Sequence, residues 1–485
     1  MPTSGNPLVK ERVIGHHESM SSSIAAAPDR LLPADPGTRQ IARDLLGLVE
    51  HLHIISPHGH VDAAVFAENL PFPDPASLLV TPDHYVTRLI HASGVPLDRL
   101  RVGEGSSPRQ VWRELCAAWP LFDGTASGYW LRSEFEHVFG IDGDLSAETS
   151  DSSFDAIQAR LAEPGFRPRN LLKQFDIEVI ATTDDPLDDL AHHAALAADE
   201  SFDGRVLPTF RPDAYTNLAH PTWIENVDRL ISTAGEGATG YAGYIAALEN
   251  RRQYFVDHGA VSADHGVATP LTLKLDNGDA EELFNRARRG ERRDGDRERF
   301  EAHMLYEMAR MSVRDGLVMT IHPGSYRNHH LPTFEKYGAD TGHDIPVATN
   351  YTEAIRPVLQ DFGTAQDFHL ILFTLDETVF SRELAPLAGF YPSVYIGAPW
   401  WFLDAPDAML RFRSAVTETA GFSRSSGFID DTRAFCSIPA RHDTSRRIEA
   451  SFLARLVAEH RVSESRAAEL IVDVVDGAPR RAFKL

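Results

Sequence analysis

The stretch ISPHGH, residues 55–60, decides how the rest of the chain is interpreted. It closes a short β-rich segment and places His58 and His60 two positions apart. In an extended chain such residues point to the same side, so both imidazoles can reach one cation. His51 and His53 have the same spacing but lie at the start of the segment. Because barrel enzymes carry their catalytic groups at the carboxyl ends of strands, position favours His58 and His60.

Short β-rich segments recur along the chain, and helical patterns separate them. This alternation is typical of a parallel sheet, and eight strands with intervening helices favour a closed (β/α)8 TIM barrel over an open doubly wound sheet. The eight predicted strands cover residues 52–57, 177–183, 206–211, 259–264, 317–322, 370–375, 394–398 and 427–430.

The segments are unequally spaced, and the first interval is the longest. It exceeds a hundred residues and contains helix-like stretches such as 111–119 and 154–161. We expect a helical insertion at about residues 64–170 that covers the mouth of the barrel. Residues 1–28 are rich in Ser, Gly and Ala without steady periodicity, which predicts a flexible N-terminal tail. Residues 29–485 are then expected to form the barrel domain.

The charge of the chain restricts its partners. The formal net charge is −23, from 70 acidic and 47 basic residues, and this field repels nucleic acids and anionic membranes. No apolar run approaches the roughly 20 residues of a membrane span. Cys116 and Cys436 are too few for a disulfide framework, which fits a reducing compartment. We therefore expect a soluble cytoplasmic protein, in which an anionic substrate would need a locally basic pocket.

A carboxylate that could complete a metal site lies in the stretch GFIDDTR, residues 427–433. Two histidines and an aspartate can hold zinc or manganese and leave positions open for a substrate oxygen. Asp430 and Asp431 face opposite ways in an extended chain, so only one of them can reach the metal. A polar strand exit that caps a helix is the alternative interpretation.

Eight blocks of the sequence, in series from about residue 58 to 433, resemble the uronate isomerase family. They are His58-Gly59-His60, Asp83-His84-Tyr85 with Arg88, Thr183-Asp184-Asp185-Pro186, Pro208-Thr209-Phe210-Arg211-Pro212-Asp213, Ser262-Ala263-Asp264-His265-Gly266, His322 with Arg327-Asn328, Trp400-Trp401-Phe402, and Asp431-Thr432-Arg433. The family belongs to the amidohydrolase superfamily of distorted (β/α)8 barrels. The resemblance therefore implies this fold for most of the chain.

By the same resemblance, His58, His60 and Asp431 hold one divalent metal, zinc or manganese. Typical hydrolases of the superfamily add a bridging lysine on the fourth strand and histidines that end the fifth and sixth strands. Residues 259–266 contain no lysine and the sixth segment ends without histidine, which disfavours a binuclear hydrolytic centre. His322 ends the fifth segment, and it is either a third imidazole ligand or a hydrogen-bond partner of the substrate.

Four arginines lie inside these blocks although the chain is acidic: Arg88, Arg211, Arg327 and Arg433. A guanidinium can bind the C6 carboxylate of a hexuronate with two parallel hydrogen bonds. Trp400 and Trp401 follow the seventh segment, where an indole could form an apolar wall or donate its N–H to a sugar oxygen. We interpret the pairs Asp184-Asp185 and Asp264-His265 as caps of loops at the barrel rim.

Aldose–ketose isomerisation moves a proton from C2 to C1 through an enediol-like intermediate. It needs a base, a group that manages hydroxyl protons and a stabiliser of oxyanion charge. Tyr85 and Asp431 are suited to move protons, while Arg433, His84 and the cation could stabilise charge. Which group removes the C2 proton is open at this stage.

The function that the resemblance implies is isomerisation of D-glucuronate to D-fructuronate or of D-galacturonate to D-tagaturonate. A mononuclear metal-dependent hydrolase acting on a lactone or amide is the alternative. A sugar-acid binding protein without enzymatic activity is a third interpretation, and it would have no need of Asp431. The sequence is compatible with a monomer and with a homo-oligomer.

Overall fold

The computed structural model describes residues 25–103, 105–142 and 144–485. Residues 1–24 of the tail predicted over residues 1–28 lie outside the described residues. Ala25 is buried, and the Pro28 carbonyl accepts a hydrogen bond of 2.7 Å from Arg447. Residues 25–28 therefore contact the last long helix of the chain.

The strands follow the order predicted from the sequence. They are β1 (Ile54–Ser56), β2 (Ile177–Ala181), β3 (Arg205–Leu207), β4 (Thr209–Phe210), β5 (Ser262–His265), β6 (Val318–Ile321), β7 (Ser325–Tyr326), β8 (Ile345–Pro346), β9 (Leu370–Leu372) and β10 (Val394–Ile396). One parallel sheet has the order β1-β2-β3, and a second has the order β4-β5-β6-β9-β10. The single strand expected over 206–211 is divided into β3 and β4 at Pro208, which has no N–H to donate.

The eighth position of the barrel wall is irregular, and the prediction of a strand over 427–430 is wrong in this respect. A parallel bridge joins Ser425 to Ile396 of β10, and the backbone N–H of His60 donates to the Thr432 carbonyl at 3.0 Å. Gly427 has a φ of +72°, and a Cβ there would lie 2.4 Å from Pro479. The ring is thus closed by single contacts, and the distorted (β/α)8 barrel is confirmed.

Helices cover the barrel and fill the long first interval. They are α1 (Pro36–Gly47), α2 (Ala63–Glu68), α3 (Pro75–Leu79), α4 (His84–Ala92), α5 (Pro108–Ala118), α6 (Ala126–Ser133), α7 (Ser150–Leu161), α8 (Pro168–Gln174), α9 (Ala191–Ala197), α10 (Asp213–Thr216), α11 (Trp223–Ala234), α12 (Gly240–Asp257), α13 (Asn277–Arg288), α14 (Asp296–Asp315), α15 (Leu331–Tyr337), α16 (Arg356–Phe362), α17 (Ala385–Phe390), α18 (Pro406–Ala420), α19 (Ile438–Ala458), α20 (Glu464–Val472) and α21 (Ala478–Phe483). Short 3-10 helices span Leu97–Leu100, Trp119–Phe122, Pro164–Phe166, Trp401–Leu403 and Phe435–Ser437, and π-helical turns span Glu134–Val138, Phe380–Leu384 and Asp473–Gly477. None of the helices within the described ranges is long and apolar enough to cross a membrane.

The C-terminus closes the amino end of the barrel. Apolar side chains of the strands, such as Val179 and Ile371, are fully buried, and Phe483 and Leu485 pack against these interior residues. Lys484 donates to two backbone carbonyls that lie just before β6 and β9. The polar side chains that end the strands are thus left at the opposite, carboxyl end.

Residues 325–347, which we call the flap, form an excursion between β6 and β9. The flap contains the antiparallel pair β7 and β8 and the helix α15, in which no residue is buried. It reaches back over the carboxyl end of the barrel.

Candidate active site

A cavity of about 570 Å³ lies at the carboxyl ends of the barrel strands. Ligand pockets usually measure about 300–1,000 Å³, so the cavity has room for one small molecule. The site residues named from the sequence line this cavity, with the exception of Arg88. The lining includes His58, His60, His84, Tyr85, Arg211, His322, Arg327, Trp400, Trp401, Asp431 and Arg433.

Asp431 contacts both histidines that follow β1. Its Oδ1 atom lies 2.9 Å from Nε2 of His60 and 3.3 Å from Nε2 of His58. The φ of Asp431 is +44°, a left-handed conformation that non-glycine residues rarely adopt and that is often found at functional sites. Asp430 faces the other way, with Oδ2 3.1 Å from Nε2 of His442. Only one carboxylate of the pair is thus turned toward the cavity.

The three side chains of this cluster could hold a divalent metal ion. Their ligand atoms lie within 4.8 Å of one another. Burial alone would raise the pKa of Asp431, but His58 and His60 hold that pKa well below its usual range, so the carboxylate is ionised. Oδ1 is buried without an aligned hydrogen bond, although two imidazole nitrogens approach it. A cation would satisfy this oxygen and both nitrogens, and zinc and manganese accept this set of donors.

Asp264 belongs to the centre of the site, which corrects the prediction that it caps a loop at the rim. It lies in β5 and is fully buried. Its Oδ1 is 2.6 Å from Nδ1 of His322, and its Oδ2 is 3.1 Å from the Arg211 guanidinium. Burial would raise the pKa of Asp264, but His322, His58 and Arg211 hold it well below its usual range. Asp264 is therefore an ionised carboxylate that orients His322 and neutralises Arg211.

The environment of His322 keeps both of its expected roles open. Its ring stacks on Phe373 at 4.1 Å and on His58 at 4.6 Å between centroids. Its Nδ1 binds Asp264, whereas Nε2 is buried and has no hydrogen-bond partner among the described residues. His58, Asp264 and His322 form a second cluster of potential metal ligands. The free Nε2 can thus bind either a metal or a substrate oxygen.

Helix α4 brings His84 and Tyr85 to the cavity from the insertion. Asp83 caps the helix by accepting a hydrogen bond of 2.8 Å from the Tyr85 backbone N–H. Burial raises the pKa of Tyr85 well above its usual range, although the Arg441 guanidinium, 5.1 Å from the ring centroid, acts against this. Burial also lowers the pKa of His84. Tyr85 is therefore a protonated phenol at neutral pH, and His84 is a neutral imidazole.

Arg327 and Arg433 share one carboxylate at the mouth of the cavity. Asp340 of the flap places Oδ2 2.8 Å from Arg433 and Oδ1 3.4 Å from Arg327. The Arg327 guanidinium also lies 4.8 Å from the centroid of the Trp401 ring. The Nε1 atoms of Trp400 and Trp401 are buried without hydrogen-bond partners in the described structure. Both indoles can thus donate to a bound molecule.

Arg88 does not line the cavity. Its guanidinium stacks on the Phe402 ring at 4.5 Å, and Gly342 of the flap lies so close that a Cβ there would be 2.7 Å from the Arg88 Cβ. In this arrangement Arg88 therefore does not make the expected contact with a substrate in the cavity. Arg88 instead packs between Phe402 and the flap.

Comparison with known proteins identifies the family. The family model described as Glucuronate isomerase matches residues 38–480. The chain belongs to this family. The uronate isomerase of Corynebacterium efficiens is 59% identical over 96% of this chain and 100% of its own length. The uronate isomerase of Phenylobacterium zucineum is 50% identical over 96% of this chain and 98% of its own length. The crystal structure of glucuronate isomerase from Caulobacter crescentus superposes with a TM-score of 0.92 at 48% identity, covering 94% of this chain and 96% of that one.

In this member of the glucuronate isomerase family, the cavity also contains residues that sequence reasoning did not select for it. Thr183 donates to the Gly59 carbonyl at 2.8 Å and so holds the loop that carries the two histidines. Asp213 accepts from the Arg211 guanidinium at 2.8 Å. Asp264 could have been found by the rule that selected His58, because it too ends a barrel strand. Asp340 offered no such signal, since it lies in an irregular segment.

Proposed function

We propose that this chain interconverts D-glucuronate with D-fructuronate and D-galacturonate with D-tagaturonate, by proton transfer between C2 and C1. One observation carries the proposal. An ionised carboxylate, Asp431, and a protonated phenol, Tyr85, line the same cavity as the arginines Arg327 and Arg433. An aldose–ketose isomerase of acidic sugars needs both kinds of group, one to move protons and one to bind the carboxylate.

His58, His60 and Asp431 would hold one divalent metal, zinc or manganese. When bound, such an ion polarises a substrate oxygen and stabilises negative charge that develops on it. His322 stands next to this cluster, and its Nε2 would bind either the same ion or a sugar oxygen.

The two proton-handling groups have complementary protonation states. The ionised Asp431 carboxylate can accept a proton, and the Tyr85 phenol can donate one, so a proton can leave one substrate atom while another is protonated. The neutral His84 imidazole lines the cavity and could donate a hydrogen bond to an oxyanion. Arg327 and Arg433, which share Asp340, would bind the C6 carboxylate, with Trp400 and Trp401 donating to sugar oxygens.

Typical hydrolases of the superfamily use a bridging lysine, and none of the described residues that line the cavity is a lysine. The alternative function, a mononuclear hydrolase, adds one water to its substrate, whereas an isomerase leaves the mass unchanged. The mass of the product therefore distinguishes the two.

The two cysteines bear on the location of the protein. Cys116 and Cys436 are both free and buried, which supports a place in the reducing cytoplasm. The proposed function requires only the small-molecule substrate as a partner.

A mass-resolved assay tests the proposed function. Purified protein would be incubated separately with D-glucuronate, D-galacturonate and a hexonolactone, and the products identified by mass and by NMR. The expected result is a ketose of unchanged mass from at least one uronate. A product one water heavier from the lactone, with both uronates left unchanged, would replace the isomerase by the hydrolase.

A further inference from the structure

Every arginine that lines the cavity already has a carboxylate partner. Arg211 contacts Asp213 at 2.8 Å and Asp264 at 3.1 Å. Arg327 contacts Asp344 at 3.0 Å. An acidic substrate must therefore compete with carboxylates of the protein for these arginines. The carboxylate that is easiest to displace determines where the substrate binds.

We propose that Asp340 competes directly with the substrate carboxylate for Arg327 and Arg433, and that it thereby sets the affinity of the site for acids. This inference rests on the proposed function. Asp340 is the carboxylate that bridges two cavity arginines, with one oxygen at 2.8 Å from Arg433 and the other at 3.4 Å from Arg327. A hexuronate carboxylate has the same two oxygens and the same charge, so it can make the same pair of contacts.

Asp340 is easier to displace from the arginines than Asp344, because its surroundings hold it less tightly. The Asp344 side chain is only 3% exposed and also accepts a hydrogen bond of 2.7 Å from the Asn328 backbone N–H. The Asp340 side chain is 39% exposed and lies on the flap. Its φ is +58°, and Gly338 and Gly342 on either side also have positive φ. The left-handed backbone of Asp340 is costly for a non-glycine residue, and its side chain is far more accessible to solvent than that of Asp344.

Buried polar atoms without partners close to the arginine pair point to a ligand at this place. The Trp401 indole stacks beneath Arg327, and its Nε1 is buried without a partner. The His84 ring lies 5.6 Å from the Trp401 ring, and its Nδ1 is likewise buried and unsatisfied. Buried polar atoms without hydrogen bonds are costly, so a ligand rich in oxygen is favoured here.

Competition by Asp340 has a specific kinetic consequence. Substrate and product both carry the carboxylate, so Asp340 weakens the binding of both without touching the proton transfer. Removing its charge should lower KM and leave kcat nearly unchanged, which is the signature of uniform binding. Asp340→Asn is a suitable variant because asparagine keeps the shape of the side chain and tolerates the left-handed backbone.

Calorimetric titration with D-gluconate, an unreactive sugar acid, tests the proposal apart from catalysis, and its neutral counterpart D-glucitol serves as the control ligand. Partly exposed ion pairs contribute little each, so we expect Asp340→Asn to bind D-gluconate about fivefold more tightly than the parent protein, with D-glucitol unaffected. Asp123→Asn is the matched control variant, because Asp123 is an exposed partner of Arg132 outside the cavity. Its affinity for D-gluconate should equal that of the parent protein.

Weaker binding by Asp340→Asn would show that Asp340 supports the ligand rather than competes with it, and equal or undetectable binding by both proteins would also overturn the proposal. Steady-state kinetics with D-glucuronate separate this failure from that of the proposed function. If the parent protein isomerises the uronate but KM does not fall in Asp340→Asn, the inference about Asp340 fails and the function stands. If D-gluconate binding tightens as expected while no uronate is isomerised, Asp340 acts as proposed and the reaction has been misassigned.

Discussion

Two regions of the molecule meet at one cavity and are built differently. His58, His60 and Asp431 follow strands or wall segments of the barrel, and His58 and Asp431 are almost wholly buried. The flap has a helix without a buried residue, and it exposes large apolar side chains, namely Tyr326, Leu331, Ile345 and Val347. Under the proposed function, the difference teaches that the carboxylate that moves protons, Asp431, is fixed in the barrel wall, whereas Arg327, which would bind the acid, lies on the more exposed flap.

The largest expected effect concerns Asp431, which belongs to the barrel wall and not to the flap. Asp431→Asn should lower kcat by about 10²- to 10⁴-fold or more, because under the proposed function it removes both a proton-accepting carboxylate and a metal ligand. Circular dichroism should show that the fold is retained, since the side-chain volume is preserved. Asp430→Asn is the control, and its effect on kcat should be much smaller because Asp430 faces His442. If Asp430 proves essential and Asp431 dispensable, the wrong residue has been placed at the centre.

Metal removal tests the same centre without mutating its carboxylate. Dialysis against a chelator should abolish turnover, and one equivalent of zinc or manganese per chain should restore it. Elemental analysis should find less metal in His60→Gln. His53→Gln is a matched control, because His53 has the spacing of the pair but lies at the amino end of β1, where it contacts Asp176. Two tightly bound ions per chain would instead revive a binuclear centre.

An arginine of the flap should show a smaller effect of a different kind. Arg327→Gln is expected to lower kcat/KM for D-glucuronate by about 10- to 150-fold, mainly through KM, because a hydrogen bond to a charged group contributes about 1.5–3 kcal/mol. Arg327→Lys should recover part of the loss, since it keeps the charge but not the planar fork. A collapse of kcat at constant KM would move Arg327 into the proton-transfer machinery.

The smallest effect concerns stability and compares two leucines. Leu331 of the flap is 59% exposed, whereas Leu372 of β9 is fully buried. Leu331→Ser should change the free energy of unfolding by less than about 0.5 kcal/mol, while Leu372→Ala should lower it by about 2–5 kcal/mol. Urea denaturation measures both. Similar losses for the two variants would show that the flap is part of the folded core.

The sequence predicts the barrel better than it predicts the flap, and the reason is physical. Strand ends in a parallel barrel all point to one face, so the positions of His58 after β1 and of Asp430-Asp431 in the eighth segment predicted that a carboxylate meets the histidine, and the family resemblance selected Asp431. The flap has no periodic pattern, and α15 buries no residue, so nothing in its sequence indicated that Asp340 would reach two arginines.

Local irregularities within the barrel also escaped prediction. Pro208 divides one strand into two, and the eighth position is irregular at Gly427, which is left-handed and whose Cβ space is occupied by Pro479. Asp264 was misplaced for a different reason, since a carboxylate at a strand end can equally cap a loop or face the cavity. Only its contacts with His322 and Arg211 distinguish the two.

The central proposal is that Asp431 of the barrel wall takes part in the proton transfer and that the cavity arginines select an acidic sugar. The comparison of kcat/KM for D-glucuronate and D-glucose tests it most directly. The two sugars share the carbons between which the proton moves and differ in the carboxylate at C6. We predict that glucose is a poorer substrate by at least about 10³-fold, because a site built for a charged group is left with unpaired polar groups when that group is missing. Comparable values of kcat/KM for the two sugars would contradict the account.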